Sequence, residues 1–233
     1  MTEPMEVSEA MRKFQTLAAA AGHAIPGELL LEDPPVERTL RADMVESWLA
    51  RHWAAQVPVA HGTPQLAEVA EGHSLNVVDE LTGWADAPGS SANLILMGPV
   101  GTGKSHAALA AAREWLARRY DELRGTSDPV FQVHQVVELL DAMRPGGDDQ
   151  VGARAARARL LLLDDLGAER ATEWAGERLY GLVNRRWLDG LATIVTTNVP
   201  APDLTGALGD RVLSRLAGGA TVLRLTGPDR RRA

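Results

Sequence analysis

The sequence predicts an α/β fold: a parallel five-stranded sheet sandwiched by helices, with a small helical region ahead of it. Three observations carry this. From about Gln65 onward, short apolar runs alternate with amphipathic helical stretches, as in a parallel sheet covered on both faces. Gly98-Pro99-Val100-Gly101-Thr102-Gly103-Lys104-Ser105 fits G-x-x-x-x-G-K-[ST] and stands between an expected strand and an expected helix. Leu160-Leu161-Leu162-Leu163 is a wholly apolar run that ends in Asp164 and Asp165.

Along the chain, Ser8 can cap a helix with Met11, Phe14, Leu17, Ala18 and Ala21 on one face. The Pro-rich stretch 25–35 breaks it. A second helix is expected from about 36 to 55, where Leu40, Met44, Trp48, Leu49 and Trp53 recur at helical spacing. Its two tryptophans suit either a partner-docking surface or burial against the core. Residues 56–64 read as a linker. The expected division is therefore a helical partner-binding region with its linker over 1–66, and the α/β domain over 67–233. Within that domain, 66–84 is expected as a helix, 87–91 as a loop, 93–97 as the first strand and 105–119 as an Ala-rich helix. A second strand over 130–133 leads into a helix through Val136, Leu139 and Leu140, then a Pro/Gly turn over 144–149. The third strand is 160–164, followed by a helix over 172–187 with Leu179, Leu182 and Val183 inward. The fourth strand is 193–197, a short helix covers 210–216, and the last strand is 221–225.

The glycine loop implies phosphate chemistry. Glycines let backbone N–H groups turn inward around a polyphosphate, and the following helix adds its partial positive charge. Lys104 suits the β- and γ-phosphates and Ser105 suits Mg²⁺. Lys13 and Lys104 are the only lysines in an arginine-biased chain. The expected nucleotide-binding set is Gly98, Pro99, Val100, Gly101, Thr102, Gly103, Lys104, Ser105 and His106. Asp164 ends a buried strand, where open α/β sheets place their ligands, and joins Ser105 as a metal residue acting mainly through water. Asp165 orients or deprotonates the attacking water. Asn198 closes the run Thr193-Ile194-Val195-Thr196-Thr197-Asn198 and can hold that water; a simple turn before Val199-Pro200 is the alternative. Arg211 and Arg215 lie four apart on one helix face. Either can serve as an arginine finger on a neighbour's ATP, which makes the active unit a homo-oligomer. Solvent-facing or acid-paired arginines are the alternative.

Taken in order, residues 93–107, 160–169 (LLLLDDLGAE), 172–184 (TEWAGERLYGLVN), 193–198 (TIVTTN) and 208–216 (LGDRVLSRL) resemble an AAA+ ATPase of the DnaC/IstB-like helicase loader family. The resemblance spans roughly 66 to 228. It implies a P-loop NTPase fold of the additional-strand type, ATP and Mg²⁺ as cofactors, ATP hydrolysis and spiral assembly. It also implies contact with single-stranded DNA, and a replicative hexameric helicase gripped by the N-terminal region. Carried onto this chain, Lys104 and Ser105 are Walker A, Asp164 and Asp165 are Walker B, Asn198 is sensor 1, Arg215 is the finger and Arg211 its second candidate. The sequence ends soon after the last expected strand, so no large C-terminal lid is expected, and Arg230 to Arg232 read as a tail. The cysteine zinc site of some loaders is missing.

Composition narrows the functions further. A formal charge of −7 excludes a polycation that coats nucleic acid indiscriminately. DNA contact must come from local clusters such as Arg154, Arg157 and Arg159, or Arg113, Arg118 and Arg119. With no cysteine, disulfides, thiolate zinc sites and thiol catalysis are excluded. Neither an apolar leader nor a membrane-length apolar run is visible, so a cytoplasmic protein is expected. The expected function is an ATP-hydrolysing helicase loader acting on single-stranded DNA. An IstB-like transposition helper, a P-loop small-molecule kinase and a nucleotide-gated adaptor are the alternatives.

Overall fold

Alternation of apolar side chains along buried strands decides how the helices are distributed. The computed structural model describes residues 35–87, 93–148, 150–168 and 172–230. Its strands are β1 (Leu94–Met97), β2 (Phe131–Gln135), β3 (Leu160–Asp164), β4 (Ala192–Thr197) and β5 (Thr221–Arg224). All pair in parallel, in the order β2-β3-β4-β1-β5. Every residue of β1, β3 and β4 is buried, as central parallel strands require. Leu94, Leu96, Leu160, Leu162 and Ile194 enter one core; Ile95, Met97, Leu161, Leu163 and Val195 enter the other. This is the period of two that a strand imposes.

The first core packs against α1 (Pro35–Ala54), α2 (Leu66–Ala70), α3 (Leu75–Asp86), α4 (Lys104–Arg118) and α5 (Tyr120–Leu123). Ala107, Ala108, Ala110, Ala111 and Ala112 of α4 are buried, so small side chains bring this helix close to the sheet. The second core takes α6 (Val136–Ala142), α7 (Val151–Arg157), α8 (Glu173–Leu188), α9 (Leu204–Leu208) and α10 (Asp210–Ala217). Thr172 caps α8 by accepting from the Ala175 amide at 3.2 Å.

The chain divides into two units, residues 1–44 and 45–233. Of the first, residues 35–44 are described; they open α1, and Leu40 and Met44 are exposed. In the second, Trp48 and Trp53 are buried at 4% and 5% exposure, so neither indole is an exposed anchor. Trp53 donates to the Gly62 carbonyl at 2.7 Å and stacks on Phe131. The expected helix beginning at Ser8 and most of the loop 87–91 lie outside the described residues. The helix expected over 66–84 is two helices. Gly72 weakens the first, and Ser74, in extended backbone, starts the second. Helices α7 and α9 were not anticipated, because each is short and buries too few residues to show a period.

Arg186 fastens the end of the sheet where its strands begin. Its side chain is 1% exposed. The guanidinium donates to Thr193 Oγ1 at 2.9 Å, to the Ala155 and Ala158 carbonyls at 2.8 Å, and to the Ala192 carbonyl. Burial pushes its pKa down to about 9, so it stays charged at neutral pH and its fork ties α7, α8 and β4 together. Arg186→Leu is expected to cost about 3 kcal/mol or more, because several buried carbonyls lose their donor. Urea unfolding checks this; a loss below about 1 kcal/mol would contradict the cage.

Candidate functional site

Strand β1 runs directly into the glycine loop, and α4 begins on its last glycine. Gly98 passes so close to the Leu225 carbonyl that a Cβ there would collide with it. Gly103 caps α4 with φ +87°, a conformation that L side chains rarely adopt. The Pro99 carbonyl accepts from Thr102 Oγ1 at 2.9 Å and Lys104 Nζ at 2.8 Å. Lys104 is 5% exposed, so its ammonium is folded over the loop rather than spread into solvent. Val100 stands exposed at the tip. His106 faces Glu68 across 3.4 Å.

Strand β4 lies between β1 and β3, with Leu96 paired to Thr196 and Leu163 to Val195. That register brings the two sequence motifs together. Ser105 Oγ donates to both carboxylate oxygens of Asp164, at 2.8 and 3.0 Å. Thr196 Oγ1 donates to Asp164 Oδ1 at 2.6 Å and accepts from the Asp165 amide at 2.9 Å. Asp165 sits at φ +57°, which turns its side chain out of line with β3. Asn198 Nδ2 donates to Asp165 Oδ1 at 3.0 Å. One hydroxyl and one carboxylate thus converge, as the oxygen donors a hard cation prefers, beside a glycine cradle that a Cβ would fill. The residues fit a nucleotide with Mg²⁺. A cavity of about 240 Å³ opens beside Ser105 and Asp164, walled also by Gln135, Glu138 and His61.

The arginines are placed differently. Asn93, which precedes β1, donates to the Leu216 and Arg215 carbonyls at 3.0 and 3.4 Å. Arg215 therefore lies at the end of β1 opposite the glycine loop, roughly 16 Å away along the strand at about 3.3 Å per residue. Arg215 Nε donates to Asn184 Oδ1 at 3.1 Å, and its guanidinium lies 4.0 Å from the Trp187 ring centroid. Arg211 is exposed and rests 5.9 Å from the Tyr180 ring. Of the clusters considered for DNA, Arg113 pairs with Glu46, Arg118 with Asp86 and Glu114, and Arg154 with Asp148. Arg119 is buried and donates to the Ala85 carbonyl at 2.8 Å. Arg113, Arg118 and Arg119 thus all have partners within the fold.

Two features were not anticipated. Thr196 was read only as part of a strand, although a hydroxyl in a wholly buried strand must find a partner. Arg230 was read as tail. Instead its amide donates to the Gly101 carbonyl at 3.0 Å and its side chain to the Gly72 carbonyl. Arg231 and Arg232 lie outside the described residues. His73, beside Gly103, is held below the usual imidazole range by burial and then by the Arg230 guanidinium.

Comparison with known proteins agrees with this geometry. The family model described as "IstB-like ATP binding protein" matches residues 68–227. The replicative helicase loader DnaC of Escherichia coli (strain K12) is 29% identical over 131 residues, covering 55% of this chain and 51% of the relative. The Insertion sequence IS21 putative ATP-binding protein of Pseudomonas aeruginosa is 29% identical over 156 residues, covering 65% and 56%. The chain thus spans about half the length of these relatives. The crystal structure of DnaI superposes with a TM-score of 0.61 at 21% identity, over 75% of this chain and 94% of that one, and shares the fold. That fold is the parallel five-stranded α/β architecture the sequence predicts.

Thr196→Val keeps the volume of the side chain but removes both bonds at the acid end. It is expected to weaken Mg²⁺-dependent binding of a fluorescent ATP analogue about tenfold, while binding without Mg²⁺ is unchanged. Titrations with and without Mg²⁺ check this; equal Mg²⁺-dependent affinity for variant and parent would contradict it.

Proposed function

The chain belongs to the IstB-like ATP-binding protein family, and from that premise we propose that it hydrolyses ATP to load a replicative hexameric helicase onto single-stranded DNA. One observation carries the chemistry: Ser105 and Asp164, 59 residues apart, meet at 2.8 Å beside the glycine loop. The loop amides and Lys104 bind the triphosphate. Ser105 and Asp164 hold Mg²⁺, which would neutralise charge on the phosphoryl oxygens. Asp165 orients the attacking water and takes its proton. Asn198 fixes one carboxylate oxygen of Asp165, leaving the other for that water. The position of Arg215, at the far end of β1, supports action on the nucleotide of a second copy rather than its own, so the working unit is a homo-oligomer. Arg211, one turn earlier on α10, is the second candidate.

In this reading residues 67–233 are the ATPase domain and residues 1–66 engage the partner. Trp48 and Trp53 are buried, so neither side chain is the group that meets the partner. Among the described residues no helix is long and apolar enough to cross a membrane, and we place the protein in the cytoplasm. The helicase enters through the relatives named replicative helicase loaders, and the DNA is part of our reading. A second reading, a transposition helper, is favoured by the match to the IS21 ATP-binding protein.

Lys104→Ala is expected to lose ATP binding by calorimetry while remaining folded. Asp165→Asn is expected to keep binding and lose turnover by about 100-fold or more. Unchanged binding in the first variant, or unchanged phosphate release in the second, would contradict the ATPase reading. Gel filtration of the full chain with a purified hexameric helicase and ATP tests the loader reading. A stable complex supports it; co-elution with an IS21-type transposase and not with the helicase would favour the second reading.

A further inference from the structure

Helices α8 and α10 run side by side, and their contact is built from two rungs. Tyr180 faces Arg211, and one to two turns further on Asn184 and Trp187 face Arg215. In the second rung the guanidinium is held in two ways at once. Its face lies 4.0 Å from the Trp187 ring centroid, and its Nε donates to Asn184 at 3.1 Å. Stacking fixes the plane and the hydrogen bond fixes the rotation within it. Among the described residues, no hydrogen bond or ion pair uses Nη1 or Nη2 of Arg215. The fork that recognises a phosphate is thus oriented and uncommitted.

The surroundings fit an interface. Trp187 is 47% exposed and the adjacent Leu188 63% exposed, an apolar edge beside a cation. Tryptophan and arginine are the residues on which interface energy concentrates. We propose that Asn184 and Trp187 are positioning residues that hold Arg215 ready for the nucleotide of a second copy of this chain. This rests on the reading of Arg215 as a finger acting between subunits. A flexible arginine would have to be ordered at each encounter; a clamped one presents its fork already aligned.

Subunit-specific complementation tests the proposal. Lys104→Ala donates a finger but binds no nucleotide; Arg215→Ala binds nucleotide but donates no finger. Mixed at a fixed ratio, the two are expected to recover phosphate release. The double variant Lys104→Ala/Trp187→Ala, used as the donor, is expected to recover about tenfold less, and a donor carrying Asn184→Ala a similarly reduced amount. Trp187→Ala placed instead on the Arg215→Ala partner is expected to leave the recovery in place, and a Trp187→Phe donor to restore most of it. Circular dichroism melting of each double variant identifies any donor that fails to fold. If the two single variants do not complement, the finger reading fails and the clamp with it. If they complement and the donors carrying Trp187→Ala and Asn184→Ala work fully, the clamp fails and the finger reading stands. Equal loss whichever partner carries Trp187→Ala would reduce the residue to a structural role.

Discussion

Thr196 holds the carboxylate at which the two halves of the site meet. Its hydroxyl donates to the carboxylate that Ser105 also touches, and it accepts from the amide of Asp165. The glycine loop follows β1 and the acids follow β3, and these strands are not neighbours. The strand between them, in this register, sets Asp164 where Ser105 reaches it. Shifting β4 by one residue would turn Thr196 to the other face of the sheet and take its hydroxyl away from Asp164. The additional strand is therefore a constraint on the chemistry as well as on the architecture.

The sheet has a closed end and an open end. Where the strands begin, Arg186 binds carbonyls from α7 and β4, and Asn93 binds the end of α10. Every polar group in that description finds a partner inside the fold. Where the strands end, the glycine loop, Asp164, Asp165 and Asn198 present amides and oxygens around a cavity. Alanines along α4 let the phosphate-loop helix lie flat on the sheet, so its first turn is held by core packing over its whole length. Arg215 belongs to the closed end, which is why it is more naturally read as serving another subunit.

Much of this was legible in the sequence because it is encoded locally. Four consecutive leucines ending in two acids read as a central strand once they follow a glycine loop, and the glycine pattern states its own backbone geometry. The covered faces followed from alternation, whereas the strand order is a finding of the structure. The parts that escaped depend on contacts between distant residues. Arg186 looks like any helical arginine until β4 and α7 surround it. Arg113, Arg118 and Arg119 resemble a basic patch until Glu46 and Asp86 pair with the first two and the Ala85 carbonyl accepts from the third. The break at Gly72 and the return of Arg230 to the phosphate loop are two sides of one long-range contact that no window of sequence contains.

A crystal structure with Mg²⁺ and a non-hydrolysable ATP analogue would test the central claim most directly, through the distances from the metal to the protein. The account predicts Ser105 Oγ as a direct ligand at about 2.1 Å, Asp164 joined to the metal directly or through one water, and Thr196 still bonded to Asp164. A triphosphate bound elsewhere, or a metal held without Ser105 and Asp164, would contradict it.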